Sequence, residues 1–212
     1  MAVRDLDEPD EAATAARKPG RPRDTRIDTR ILEATSSMLF EKGYAGLTID
    51  GVAAAAGVSR PTIYRRWPSK PELVIASLVL STGLALPVPN TGSVRRDLMA
   101  VQREQIRAFN SPESRRITAG LVADVAADPE LADLYLRDFA TPRRESVWRA
   151  LRRGIDRGEL RPDIDFGFVS DLLIGPLFMR SVVWGQKLDA KMAKATVDAV
   201  MAVCAVEGRG KS

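Results

Sequence analysis

A chain of 212 residues that is 45% hydrophobic and 28% charged holds enough apolar material for one large domain or two small ones. It has no histidine and a single cysteine, Cys204, which excludes zinc sites, Ser-His-Asp triads, Cys-His dyads and an intrachain disulfide. The net charge of +4 is uneven: residues 1–16 carry one arginine against five acids, residues 17–70 eleven Lys/Arg against five Asp/Glu, and the remainder twenty against eighteen.

The positive excess in the first third suits a polyanionic partner there, although charge alone suits a plain solvated surface equally well. The start of the chain is acidic rather than basic and then apolar, so no secretory signal is expected. No uncharged apolar run reaches about 18 residues, so no membrane span is expected. Neither common Gly-rich phosphate loop occurs, and no cofactor or metal is expected. The lone cysteine fits a reducing cytoplasm.

Residues 1–22 read as a disordered tail without apolar period, ending in the basic run Arg17-Lys18-Pro19-Gly20-Arg21-Pro22-Arg23. A first helix is predicted from Thr25 to before Gly43, with Ile27, Ile31, Ala34, Met38 and Leu39 at spacings of three and four. Thr48 opens a second helix that runs through Ala56 and closes at Gly57. Ser59 caps a third, Arg60 to Trp67, in which Pro61 is tolerated because its missing N–H falls in the first turn. Ser69 and Glu72 form a capping box that opens a fourth helix to about Leu86.

The run Pro87-Val88-Pro89-Asn90-Thr91-Gly92 reads as a linker. Beyond it Ser93 caps a helix to about Phe109, Ser111 starts one to Ala127, and Asp128 starts one to about Arg157 with a kink expected at Thr141-Pro142. The last two are predicted over about 165–185 and 189–207. No alternating pattern of useful length appears. The expectation is an all-α fold of about nine helices, divided into the tail (1–22), a helix-turn-helix head (23–70) and a helical body (71–212).

The stretch Thr48 to Leu73 carries the chemistry. Ile49, Val52, Ala53 and Ala56 make the inner face of a short helix whose alanines permit close approach, Gly57 supplies a positive-φ turn, and Val58 and Ile63 point into a small core. The next helix then exposes Arg60, Pro61, Thr62, Tyr64 and Arg65. That mixture of hydrogen-bonding, apolar and cationic groups is what reading the DNA major groove requires.

This pattern resembles the tetracycline-repressor (TetR) family of bacterial regulators. The match is Thr62-x-Tyr64, an aromatic at Trp67 where Phe is more usual, and Lys70-x-x-Leu73, with Gly43, Thr48, Val52, Ala53, Gly57, Val58 and Ser59 also in place. The resemblance implies an all-α regulator that binds a double-stranded operator. It implies that Thr48, Tyr64 and Lys70 contact phosphates, that Arg60, Pro61, Thr62 and Arg65 face bases, and that Ser59 belongs to the same DNA-binding set. Either Arg60 or Arg65 is expected to take a guanine, and Pro61 a thymine methyl. The arm Arg17–Arg23 would reach the minor groove. The plainer readings make Tyr64 a core aromatic, Lys70 a charge near a helix start and the arm merely solvated.

For the body, the resemblance implies a homodimer through the last two helices and a ligand cavity. The penultimate helix is apolar on most sides and the last is rich in small residues, which fits a four-helix interface or, more plainly, two core helices of a monomer. Candidate liners of the cavity are Phe109, Leu121, Val125, Tyr135, Phe139, Trp148, Phe178 and Met179, with Trp184 beside them, and they suit an apolar or aromatic effector. Asp124, Asp171 and Arg180 are candidate polar anchors. Gly175-Pro176 should bend the penultimate helix. The expected function is a dimeric repressor released from a palindromic site by such a ligand. An activator or a ligand-free regulator has the same architecture, and a helical enzyme would use Asp124/Asp128 or Asp163/Asp165.

Overall fold

A computed structural model describes residues 25–83 and 88–206; the basic run Arg17–Arg23 lies outside them. Nine helices follow in order among the described residues. They are α1 (Thr25–Gly46), α2 (Ile49–Ala56), α3 (Arg60–Tyr64), α4 (Lys70–Thr82), α5 (Val94–Asn110) and α6 (Pro112–Ala127). The rod α7 is built from Pro129–Leu134, a π-helical Tyr135–Ala140 and Thr141–Asp156 without a break, α8 from Phe166–Phe178 continued by a π turn Met179–Val183, and α9 is Ala190–Cys204. The described residues contain no strand; one antiparallel bridge ties Leu160 to Ala205. The fold is all-α, as the periodicity indicates.

Most helix starts are those the sequence dictates. Thr48 accepts a hydrogen bond from the Gly51 N–H at 3.1 Å, Ser69 from Glu72, Ser111 from Ser114, and Asp128 from Glu130 and Leu131. Helix α1 breaks at Gly43, where φ is 70°, and a short turn continues to Gly46. Four expectations are corrected. Ser59 makes no side-chain cap; its hydroxyl pairs with that of Thr62 at 2.9 Å. Ser93 makes none either, because Glu159 reaches from the 157–163 loop to accept the Val94 N–H at 2.8 Å. Helix α3 is regular only to Tyr64, since Pro68 disfavours helical backbone before it and Arg66 is drawn to Asp28 on α1. Helix α4 stops at Thr82, before Gly83 with φ 77°, rather than near Leu86.

The kinks have a physical cause. Pro142 has no N–H for the Asp138 carbonyl, and the chain just before it widens to π spacing, with the Thr141 N–H bonding the Leu136 carbonyl. Pro176 sits inside α8, and the helix then continues into a π turn in which the Trp184 N–H bonds the Met179 carbonyl at 3.0 Å. Gln102, fully buried on α5, donates to the Leu173 carbonyl at 3.0 Å in the same stretch.

Two apolar clusters organise the body. One runs without interruption from the first three helices (Ile31, Leu39, Val52, Ile63) through α4 (Leu73, Val74, Leu78) to Leu121, Leu131 and Leu134. The other joins α5, α7, α8 and α9 around Leu98, Leu151, Leu173 and Val197. A Cβ at Gly154 would lie 3.0 Å from Val94 and Leu160, so glycine permits the approach of α5 to α7 there. By length and composition α8 is apolar enough to cross a membrane, the one such helix among the described residues. Its Val169, Leu173 and Leu177 are buried in the core of the body, whereas Phe168, Met179, Val183 and Trp184 are exposed.

Leu151→Ala should lower the unfolding free energy by about 2–5 kcal/mol through the cavity it leaves. Leu80→Ala, at a 47% exposed position, should change it by less than about 0.5 kcal/mol. Urea titrations followed by circular dichroism measure both.

Candidate nucleic-acid interface

Helices α1 to α3 form a compact unit whose outer face is set by internal bonds. Gly57, at φ 64°, ends α2 by donating to the Ala53 and Ala54 carbonyls and turns the chain toward α3. Arg30 of α1 donates to the Ala56 carbonyl, and the Arg66–Asp28 ion pair, mostly shielded from solvent, fastens the end of α3 to α1. Ile63 is completely buried beneath α3. The opposite side is therefore presented rigidly: Arg60, Pro61, Tyr64 and Arg65 are exposed, Thr62 is half-buried, and Thr48 and Ser59 stand exposed at the starts of α2 and α3. Tyr64 is 40% exposed, so it is no core aromatic.

One acid lies on this face. Asp50 holds the Arg60 Nε at 3.1 Å, both side chains largely solvated, and the Arg60 guanidinium sits 6.0 Å from the Tyr64 ring centre. Arg65 carries its charge outward on the same surface. Two short helices crossed at a Gly turn, with hydroxyls at both N-termini and two arginines on the second helix, match the groove-entering unit of helix-turn-helix proteins.

Lys70, at the start of α4, is differently placed from the rest. Its Nζ lies 4.1 Å from the centre of the Tyr44 ring, and the Tyr44 hydroxyl donates to Asp128 Oδ2 at 3.1 Å. Burial pushes the Lys70 ammonium below the usual lysine range, opposed by the negative charges of Asp124 and Asp128. Burial, reinforced by Asp128, raises the Tyr44 hydroxyl far above its usual value. The Leu131 N–H, with Tyr44, Glu130 and Lys70 behind it, holds Asp128 below the ordinary carboxylate range. The sequence reading found Lys70 and the capping role of Asp128 but not Tyr44; a residue that meets its partners 26 and 84 positions away leaves no local pattern.

A cavity of about 270 Å³ lies between α4, α6 and α7. Leu121, Val125, Tyr135 and Phe139 line it together with Leu78, Ile117, Val122, Glu113 and the small polar residues Ser81, Thr82, Ser114 and Thr118. Tyr135 and Phe139 stack at 5.3 Å between ring centres in the π-helical stretch of α7. The other four sequence candidates lie elsewhere. Phe109 packs on the Ile106–Leu177–Leu188 cluster, and Trp148 donates its indole N–H to Phe166 and Ser170. Phe178 is half-buried and Met179, like Trp184, exposed on α8. Of the candidate anchors, Asp171 pairs with Arg144 on the surface, and Arg180 is exposed. The carboxylate pairs are structural: Asp128 and Asp165 cap helices and Asp163 lies 3.8 Å from Arg161.

The fold and this face define a helix-turn-helix DNA-binding transcriptional regulator. Residues 31–76 match the family model of bacterial regulatory proteins, tetR family, and residues 88–200 the model of the tetracyclin repressor-like C-terminal domain. The chain is 36% identical over 172 residues, 81% of its length and 86% of the relative's, to the uncharacterized HTH-type transcriptional regulator YdeS of Bacillus subtilis. It is 29% identical, over 81% of its length and 90% of the other's, to the DNA-binding transcriptional repressor TetR of Mycobacteroides abscessus. The crystal structure of the TetR family transcription regulator SCO0332 superimposes with a TM-score of 0.67 at 30% identity, covering 84% of this chain and 97% of that one. The chain belongs to the TetR family of transcriptional regulators.

The depressed Asp128 carboxyl sets a pH dependence. A group held below its unfolded value stabilises the fold above that value, near 4, and the contribution disappears as pH falls through the folded one. Asp128→Asn keeps the helix cap. The urea midpoint of the parent chain should exceed that of Asp128→Asn at pH 7, and the difference should shrink progressively as the pH falls below about 4.

Proposed function

We propose that the protein is a homodimeric repressor that leaves a palindromic operator when a small, largely apolar ligand fills the cavity between α4, α6 and α7. The observation that carries this reading is the double duty of α4. Its first residue is Lys70, beside the DNA-facing unit, and its last turns supply Leu78, Ser81 and Thr82 to the cavity wall. A ligand that favours a different disposition of α4 therefore acts on the position of the recognition helix, and a coupling of only about 1–3 kcal/mol suffices.

The lining favours a largely aromatic or aliphatic molecule with few polar groups. Its single charged member is Glu113, so the cavity suits a neutral or cationic molecule better than an anion. Dimerisation is supported by the unpartnered apolar side chains Phe168, Met179, Val183 and Trp184 on α8 and Val203 on α9. A helix that buries one apolar face in its own core and leaves another in water is expected to meet a symmetry mate. Two-fold symmetry would place two α3 helices about one DNA turn apart, about 34–36 Å. Arg60, Pro61, Thr62 and Arg65 would read base edges, and Thr48, Ser59, Tyr64 and Lys70 would hold the backbone. Such a protein works in the cytoplasm, with the DNA.

Selection of bound fragments from genomic DNA would yield the operator. On that operator Arg65→Ala should weaken binding by about 5- to 150-fold, the range of one bidentate base contact, with an unchanged thermal midpoint. Retention of full affinity in gel retardation would remove Arg65 from the interface. Trp184→Glu should give a monomer in sedimentation and lose the palindrome; a dimer of unchanged affinity would relocate the interface.

A further inference from the structure

The placement of Lys70 points to a device that the DNA-facing residues alone do not explain. Its ammonium does not stand exposed on the surface as the guanidinium of Arg65 does. It lies against the face of Tyr44, 4.1 Å from the ring centre, half-buried where the start of α4 meets the end of α1. Tyr44 is in turn held by its hydroxyl on Asp128, the residue that joins α6 to α7. Asp124, one turn earlier on α6, adds a second negative charge that acts on Lys70. A cation over an aromatic face with carboxylates nearby is already satisfied.

We propose that Tyr44, Asp124 and Asp128 are positioning residues that compete with DNA phosphate for Lys70 and so restrain DNA binding from the body of the protein. The proposal rests on the reading of Lys70 as a phosphate contact. Asp124 and Asp128 repel a phosphate at the spot where Lys70 attracts it, and Tyr44 keeps the ammonium on their side. The same stretch of α6 carries Leu121 and Val125 into the cavity. An occupant that displaces α6 therefore moves both carboxylates relative to Lys70, which places the restraint on the wall that a ligand would touch.

The test uses the full-length protein and a mixed-sequence duplex of about 30 base pairs, because a phosphate contact is felt on any sequence. Affinity is measured by fluorescence anisotropy over a range of salt. Lys70→Met should weaken binding and lower the salt slope by about 1 per subunit. The double variant Asp124→Asn/Asp128→Asn keeps the helix cap and should bind about fivefold more tightly, within the range of a solvated charge pair. Tyr44→Leu changes no charge; by removing the ring face beneath the ammonium it should tighten binding about two- to fivefold, the range of a solvated cation–π contact. Placed on the Lys70→Met background, both gains should disappear.

Gains that persist there would show only a general field effect, and would overturn the proposal. So would the absence of any gain in a protein whose affinity still responds to Lys70→Met. If Lys70→Met itself leaves affinity and salt slope unchanged, the phosphate role of Lys70 falls and the restraint falls with it.

Discussion

The burial of α4 is the constraint on which the rest of the structure depends. Leu73, Val74, Ile75 and Leu78 are all nearly inaccessible, and they belong to one apolar cluster that begins at Ile31 and Ile63 under the recognition helix and ends at Leu131 and Leu134 in α7. Packed interiors shift between discrete arrangements rather than stretching, so a change on one side of such a cluster is felt on the other. A three-helix unit of under fifty residues would bury too little apolar surface to be robust alone. Sharing its core with α4, α6 and α7 supplies the missing packing, and it makes the three-helix unit continuous with the wall of the cavity.

Polar contacts decide how that shared core is oriented. The Arg66–Asp28 pair and the Arg30 bond to the Ala56 carbonyl lock α1, α2 and α3 to one another. Tyr44 with Asp128, and Arg116 over the Phe40 ring, set that unit against α6. At the far end of α4, Arg143 of α7 donates to the Thr82 and Gly83 carbonyls while lying over Phe139, which lines the cavity. One end of the helix is thus held by Arg143 of the body, beside the cavity-lining Phe139, and the other by Lys70 on the Tyr44 ring of α1. The π-helical turn between Tyr135 and Ala140 sits in the same wall, where backbone spacing is already relaxed by Pro142.

The surface is divided in the same way. Cationic and hydroxyl groups gather on the outer face of α2 and α3, where Ile63 and Val52 anchor the opposite side. Exposed apolar groups gather on α8 and α9, remote in sequence from that face. In a chain of +4 net charge, this separation keeps the exposed apolar groups of α8 and α9 off the face whose arginines suit a polyanion and on which Asp50 is the acid present.

Local rules made much of this legible beforehand. Apolar spacings of three and four gave the helices, and Thr48, Ser69, Ser111, Asp128 and Asp165 marked starts because a short polar side chain must satisfy free N–H groups there. Gly43 and Gly57 marked stops, and the Thr62–Leu73 pattern marked the DNA-facing helix. Two misses were local, the Ser59 hydroxyl that pairs with Thr62 and the stop of α4 before Gly83; the others required a partner distant in the chain. Glu159 took over the cap expected of Ser93, Asp28 helped to shorten α3, and four of the eight aromatic or apolar candidates turned away from the cavity. A sequence tells that Phe109 and Trp148 are apolar; only tertiary packing tells which of several apolar surfaces each one faces. Lys70 shows the same division: its position at the head of α4 was determined by local sequence, but its lodging on Tyr44 beside Asp128 was decided by the meeting of α1, α4 and α6.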